Sequence, residues 1–395
     1  MTANSGLIIE ATFWTSAAFL LYDYGGYPIL LALLTRFSSR RESLATSLEL
    51  PAVTLLISAY NESLVMEEKL KNSLAIDYPR DRLEVMVVSD CSDDGTDDLV
   101  RSHAQSGVRL VRQRERLGKT AGLNLAVPMA GGEILVFSDA NAIYRNDAIR
   151  QLVRHFSDSR VGYVVGNARY VENASDTEAA EAEGLYWKLE TWLKQKESAF
   201  ESVVGGDGAI YAIRRELYTP LLPTDINDFL NPLQIIDRGY RGIFDPAAVS
   251  YEETAKSFDK EFRRKVRIVS RSFNALGRIP GVLNPLRNPR HWFLLISHKL
   301  LRWLAPFFMI IALATSLLLW FSPFYRVAVL LQGAFYASAT AGWLLPRVRA
   351  AWKPFSLAYY FCLVNLASLI GCVKCWRGDL SATWTPPRQS VRSKA

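Results

Sequence analysis

Four cysteines in 395 residues are too few and too scattered for a disulfide framework. Cys91 stands alone in the first half, whereas Cys362, Cys372 and Cys375 fall in or beside the last apolar run. The redox-like spacing of Cys372 and Cys375 has no βαβ context around it, which leaves packing at a membrane edge as its reading. No lysine or arginine precedes the first apolar run, and Glu10 stands where a cleaved signal would carry positive charge, so this run is expected to stay as an anchor. The Gly-x-x-x-x-Gly-Lys spacing of a P-loop is also absent. Acids are scarce from Lys256 to Arg290, where ten Lys or Arg face only Asp259 and Glu261, a net of +8. Placed just before membrane segments, such a stripe meets anionic lipid or a phosphorylated substrate, and nucleic acid is not expected as a partner.

Apolar length is what the chain has in excess. Hydrophobic residues make up 50% of it and concentrate in four runs, 13–34, 304–321, 327–345 and 355–373. Each approaches the ~20 residues a helix needs to cross a bilayer. Arg36, Arg40 and Arg41 follow the first run at once, so the positive-inside rule puts the next domain in the cytoplasm of a multi-pass protein of the inner (plasma) membrane. Asp23 is the ionisable residue within that first run, and no role is assigned to it. The division expected is a transmembrane anchor and basic linker at 1–48, a catalytic domain at 49–255, basic amphipathic interfacial helices at 256–303, transmembrane helices at 304–376 and a basic tail at 377–395. Three crossings after a cytoplasmic domain would leave the tail outside, yet Lys374, Arg377, Arg388, Arg392 and Lys394 argue for inside. Either one of the last three segments is re-entrant or the charge rule fails at the tail.

Between the membrane runs the pattern changes. Continuous β-branched and apolar stretches at 53–58, 85–89 and 134–137 alternate with helical stretches at 63–74 and 97–105. Buried strands alternating with helices predict an α/β, doubly wound sheet, mixed but mainly parallel, with its functional loops after the strands. Three loops carry suitable chemistry: Ala59-Tyr60-Asn61-Glu62, Asp90-Cys91-Ser92-Asp93-Asp94-Gly95-Thr96 and Asp139-Ala140-Asn141. Tyr60 can stack on a flat base, and Asp90 can accept hydrogen bonds from a base or ribose. Asp93 to Thr96 alone read as a turn and helix N-cap. Asp139, at a strand tip where open α/β sheets bind ligands, can hold a hard cation against a diphosphate, with an oxygen from Asn141 two residues on. Lys119, behind Gly118 at a helix entrance, suits the diphosphate itself.

In this order and strand context the motifs Ala-Tyr-Asn-Glu, Asp-x-Ser-x-Asp-Gly-Thr, Gly-Lys-x-x-x-Leu-Asn and Asp-Ala-Asn resemble those of family 2 glycosyltransferases with a GT-A fold. The resemblance covers roughly 51–251 and continues into the membrane region. It implies that Ala59, Tyr60, Glu62 and Asp90 line the nucleotide of a UDP- or GDP-sugar, and that Lys119 lies near its diphosphate. Asp139 and Asn141 would then stand at the family's Asp-x-Asp metal site for Mg2+ or Mn2+, with Asn141 in place of the second acid. The segment 203–215, with Gly205, Gly206 and Asp207, looks like the glycine-rich acceptor segment. An acidic pair in similar proteins ends in the catalytic base; it maps onto Asp228, with Asn227 for the first acid and Asp225 as the rival.

The basic helix has Phe262, Val266, Val269 and Phe273 on one face, the pattern of a helix in the membrane interface. Of the Gln-x-x-Arg-Trp motif of processive synthases only Arg267 survives there, facing either the diphosphate or lipid headgroups. Residues 291–302, with His298, Lys299 and Arg302, read as a second interfacial helix, and 381–388 resemble the terminal tryptophan segment of related membrane transferases. The whole implies an inverting glycosyltransferase acting on a lipid-linked or polysaccharide hydroxyl among membrane lipids. The alternatives are a processive polysaccharide synthase and a non-catalytic nucleotide-sugar-sensing membrane protein.

Overall fold

Strands buried along their whole length set the frame of the molecule. The computed structural model describes residues 3–37, 49–171, 177–253, 258–380 and 382. Arg40 and Arg41, the tail charges Arg388, Arg392 and Lys394, and all but one residue of the 381–388 segment lie outside the described residues. Helices α1 (Ala3–Leu21) and α2 (Tyr27–Phe37) are joined by a π-helical turn at Tyr22–Gly26. Then come β1 (Val53–Ala59), α3 (Ser63–Leu74), β2 (Leu83–Ser89), α4 (Thr96–Ser102), β3 (Val108–Arg112), α5 (Lys119–Ala126) and β4 (Ile134–Asp139). The second half of the sheet domain holds β5 (Ile143–Tyr144), α6 (Ala148–Val153), β6 (Val161–Val171), α7 (Thr177–Phe200), β7 (Tyr211–Arg214), α8 (Asn227–Asp237) and β8 (Arg241–Glu253). The chain continues with α9 (Phe258–Leu276), α10 (Pro289–Leu295), a second π turn at Ile296–Leu300, α11 (Leu301–Leu318), α12 (Pro323–Leu344), α13 (Pro346–Ala351) and α14 (Lys353–Trp376).

The sheet has eight strands in the order β3-β2-β1-β4-β7-β6-β8-β5. Its first four strands pair in parallel, β7 runs antiparallel to both β4 and β6, and β6 and β8 pair in parallel. This is the doubly wound, mainly parallel sheet that the strand–helix alternation predicts. Parallel strands need both faces covered, and the apolar residues of β1, β2 and β4 divide between two clusters, one on each face. The tips of β1, β2 and β4 therefore emerge side by side, which brings Tyr60, Asp90 and Asp139 to one edge.

Among the described residues, four helices are long and apolar enough to cross a membrane: Asn4–Phe37, Pro289–Leu318, Pro323–Leu344 and Lys353–Trp376. Two expectations change here. Residues 291–302 are not a separate interfacial helix but the first part of the helix Pro289–Leu318, so the expected boundary at 303/304 falls inside one helix. Their polar groups turn inward: Lys299 lies 3.1 Å and Arg302 3.6 Å from Glu190, His298 pairs with Glu190 and Glu197, and Arg302 comes within 4.0 Å of the buried Asp23. Likewise, the apolar face of α9 is covered by protein. Val269 packs against Gly371 of α14, and the Phe273 ring meets Trp303 and Trp376 at 6.1 and 6.4 Å. The cysteines are all free, and Cys372 is buried against the Trp303 carbonyl.

Gly242 of β8 lies in register with Tyr163 of β6. The buried Tyr163 ring crosses over that glycine and donates its hydroxyl proton to the Val203 carbonyl. A Cβ at 242 would fall inside the ring. Gly242→Ala is expected to destabilise the protein by roughly 1–3 kcal/mol through overpacking, read as a lowered Tm in detergent.

Candidate active site

Asp90 leaves the tip of β2 into a fully buried position. Its Oδ1 accepts from the Leu117 and Gly118 N–H groups, both at 2.9 Å, and from Gln113 Nε2 at 2.8 Å. Its Oδ2 makes no hydrogen bond. Burial raises the Asp90 carboxyl above the ordinary aspartate range, against the pull of the Gly118 and Leu117 amides and the Arg116 guanidinium. A buried acceptor with one idle oxygen suits an N–H donor from a planar base. Beside it the Arg116 guanidinium covers the Tyr60 ring at 3.8 Å. The loops after β1 and β2 are locked together: Asn61 and Asp93 exchange two hydrogen bonds of 2.7 and 3.0 Å, and Asp94 accepts from the Ser63 and Thr96 N–H groups at 3.0 and 3.1 Å. Asn61 and Cys91 have positive φ, 53° and 61°, so both chains turn sharply at the strand tips. Ala59 contributes its carbonyl to the Asp90 N–H at 2.9 Å, and Glu62 precedes the first residue of α3.

The second focus lies around Gly208. A Cβ built there would stand 3.3 Å from Asp228 Oδ2, 3.4 Å from Asp139 Oδ2 and 3.6 Å from Lys119 Nζ. The Lys119 ammonium, carried by the first residue of α5, sits 2.5 Å from Asp139 Oδ1. Burial would lower the Lys119 pKa, but Asp139 and Asp228 more than offset this and hold it above the usual value. Asp228 is raised, first by burial and then by Asp207 and Asp139, with Lys119 pulling the other way. Arg267 of α9 lies within electrostatic reach of this cluster: burial and Arg264 lower its pKa, and Asp139 and Asp228 are its counter-charges. The rival carboxylate, Asp225, is fully buried, paired with Arg278 and bonded to the Leu222 N–H, so it has no access to a reacting group. Asn227 donates to the Tyr211 hydroxyl at 2.6 Å inside the core. Gly205 has φ +82°, and a Cβ on Gly206 would press on the Asp228 carbonyl at 2.7 Å, so both glycines let this loop close against α8. Asp207 pairs with Lys194 of α7 at 3.1 Å.

Residues 54–220 match the family described as glycosyl transferase family 2. The chain carries a family 2 glycosyltransferase domain. It is 29% identical over 241 residues to the "Probable glycosyltransferase YdaM" of Bacillus subtilis, a match that takes in 55% of this chain and 54% of that protein. It is 28% identical over 165 residues to the beta-monoglucosyldiacylglycerol synthase of a Nostoc species, over 41% of this chain and 34% of that one. Thus it spans about half, or less, of the length of these curated relatives. A mannosyltransferase from Pyrobaculum calidifontis, solved in complex with GDP-Man and Mn2+, superposes with a TM-score of 0.68 at 25% identity, covering 92% of this chain and 99% of that one.

The glycosyltransferase domain holds further contributors that their residue types do not announce. Gln113 orients Asp90, and its Nε2 also donates to the Gly118 carbonyl at 3.1 Å. Lys69 of α3 is fully buried beneath the Asp139 loop, where its Nζ donates to Ser138 Oγ at 2.8 Å and to the Ala142 carbonyl. Glu252 at the end of β8 is pushed up to about 8 by burial and by the Asp139 and Asp207 carboxylates. A lone Gln, a helical Lys and a strand-end Glu carry no local signal, because their partners lie far away in sequence.

The donor set at the tip of β4 fits a hard divalent cation. Asp139 offers a carboxylate with 39% of its side chain exposed, Asn141 supplies an amide two residues on, and Gly208 leaves the space beside Asp139 open. Among the described residues no three His, Cys, Asp or Glu side chains gather into a closed cage. Gly208→Val would fill the point where Lys119, Asp139 and Asp228 meet. It is expected to lower turnover by roughly a hundredfold, with the Tm and circular dichroism of the wild type retained.

Proposed function

We propose that this protein transfers a sugar from a UDP- or GDP-sugar to a hydroxyl of a lipid-linked or polysaccharide acceptor, with inversion, at the cytoplasmic face of the inner membrane. The observation that carries this reading is the meeting of Lys119, Asp139 and Asp228 around Gly208, next to a nucleotide-type pocket built on Asp90 and Tyr60. The GDP-Man and Mn2+ of the Pyrobaculum structure support the donor class and the metal, and the glucosylated diacylglycerol in the Nostoc relative's name supports a lipid acceptor.

Asp139, with Asn141, would hold Mg2+ or Mn2+, which when bound neutralises charge on the leaving diphosphate. Lys119, beside Asp139, adds a cationic donor to the same phosphates, and Arg267 supplies a second from α9. Asp228 takes the proton of the acceptor hydroxyl, whose oxygen bonds to the anomeric carbon as the bond from that carbon to the phosphate oxygen breaks. A single displacement of this kind inverts the centre. The loop of Gly205, Gly206 and Asp207 closes against α8 beside Asp228 and would form the acceptor side.

Asp228→Asn is expected to keep donor binding and lose transfer by roughly 10²–10⁴-fold. Because the Asp228 carboxyl is raised and the base works deprotonated, wild-type kcat should fall as pH drops through a value above the ordinary aspartate range. Assays of nucleoside diphosphate release against pH read both effects, and full turnover by the Asp228→Asn protein would refute the base. Release should also depend on added Mn2+ or Mg2+ and be absent in Asp139→Ala.

For the membrane arrangement we propose three crossings, with α14 lying along the cytoplasmic surface. Helix α14 runs beside α9 in the same direction: Tyr359 meets Phe258 at 5.0 Å, Gly371 meets Val269, and Trp376 meets Phe273. Since α9 brings Arg267 within electrostatic reach of the catalytic carboxylates, a helix paired with it along this length stays on the same side. Arg347 and Arg349 after α12 then lie inside, as does the basic tail. A phosphatase or fluorescent-protein fusion at Ala395 is expected to report a cytoplasmic tail; periplasmic activity would contradict it.

A further inference from the structure

The acceptor-side loop 203–207 is held from two directions. The sheet supplies one, through the Tyr163 hydroxyl on the Val203 carbonyl. Helix α7 supplies the other: Lys194 Nζ is 3.1 Å from Asp207 Oδ2, and Glu197 Oε2 accepts from the Val204 N–H at 3.1 Å. Glu197 is fully buried, and its second oxygen faces away from the loop. That Oε1 accepts from the Tyr27 hydroxyl at 2.7 Å and pairs with His298 Nδ1. Tyr27 belongs to the first candidate span and His298 to the second. One carboxylate thus joins two membrane helices to the residue just before Gly205.

Apolar packing follows the same path. Tyr27, Leu31, Leu193, Val204, Phe229 and Trp303 belong to one continuous cluster shared by the first span, α7, the loop, α8 and α11. The donor loops have separate supports: Asp90 is bonded to Gln113, Leu117 and Gly118, and Asn61 to Asp93. Among the described residues these bonds involve neither α7 nor the membrane helices.

We infer that Glu197 is a positioning residue that sets the acceptor loop from the membrane helices and leaves the donor half of the site independent of them. This rests on the reading of 203–207 as the acceptor side given under Proposed function. A buried carboxylate suits the task because it can accept from the loop through one oxygen and from both helices through the other, and hydrogen bonds to a charged acceptor exceed those to a neutral one.

The test uses the full chain in bilayer nanodiscs, as wild type, Glu197→Gln and Tyr27→Phe. Hydrogen–deuterium exchange at the amides of 203–208 is expected to quicken about tenfold in both variants, the loss of one charge-assisted bond, while amides 116–120 keep wild-type protection. In turnover, transfer to host membrane extract should fall roughly tenfold or more through a raised acceptor KM. Sugar release from the donor to water should stay within about twofold of wild type. Unchanged protection at 203–208 would overturn the inference, and so would loss spread equally over both loops or both activities, which marks Glu197 as a residue of the fold alone. If Glu197→Gln does not fold, Tyr27→Phe removes a single hydroxyl and carries the test. A wild-type protein that released no sugar from any UDP- or GDP-sugar would refute the proposed function, and the exchange comparison would still decide this one.

Discussion

The contact between the Lys119 ammonium and the Asp139 carboxylate is the one on which the site depends. Asp139, Asp207, Asp228 and Glu252 influence one another electrostatically, and Lys69, Lys119, Lys194, Arg264 and Arg267 are cations facing them. Burial is the first cause that raises Asp228, and Glu252 to about 8, and the neighbouring carboxylates add to it. Like charges that cannot all ionise together favour either a bound proton or a bound cation. On the proposed reading the divalent ion takes that place, and burial together with the neighbouring carboxylates keeps Asp228 basic enough to accept a proton from a hydroxyl.

The two halves of the site stand on different supports, and this follows from the sheet. β1, β2 and β4 are parallel neighbours whose tips project the nucleotide-side residues from a rigid, two-faced core. The residues around Gly208 and Asp228 come from beyond the point where β7 reverses direction, and they lean on α7, α8 and the membrane helices. A donor pocket built on strands is fixed before any partner arrives. On the proposed reading, an acceptor surface that shares its core with membrane helices would stand at the height where a membrane-bound acceptor presents its hydroxyl.

How far the sequence could be read depended on the distance between partners. The positions of Asp90 and Asp139 were legible because a buried strand followed by a polar residue defines its own place, and that of Lys119 because Gly118 precedes it at a helix entrance. Asp225 and Asp228 could not be separated in the same way, since the distinction rests on Arg278, 53 residues from Asp225. Glu197 lies 170 residues from Tyr27 and 101 from His298, and no local pattern marks it. For another reason, no local pattern announced the partners that the helices 258–276 and 289–302 find within the protein. An amphipathic period reports only that one face is apolar, and another helix of the protein is as apolar a surface as lipid. The charged residues His298, Lys299 and Arg302 met buried acids of α7 and Asp23 instead of headgroups.

Asn141, where similar proteins carry a second aspartate, becomes intelligible from this charge balance. A fifth carboxylate within reach of Asp139, Asp207, Asp228 and Glu252 would add repulsion to a group of acids that already displaces two of its members upward. The amide keeps an oxygen in place at no cost in charge. The same loop is held from below by Lys69 through Ser138 and Ala142, so its shape does not rely on a metal to order it. On the proposed reading the donor's phosphates supply further oxygen ligands to the cation, which makes metal and nucleotide sugar bind together rather than in turn.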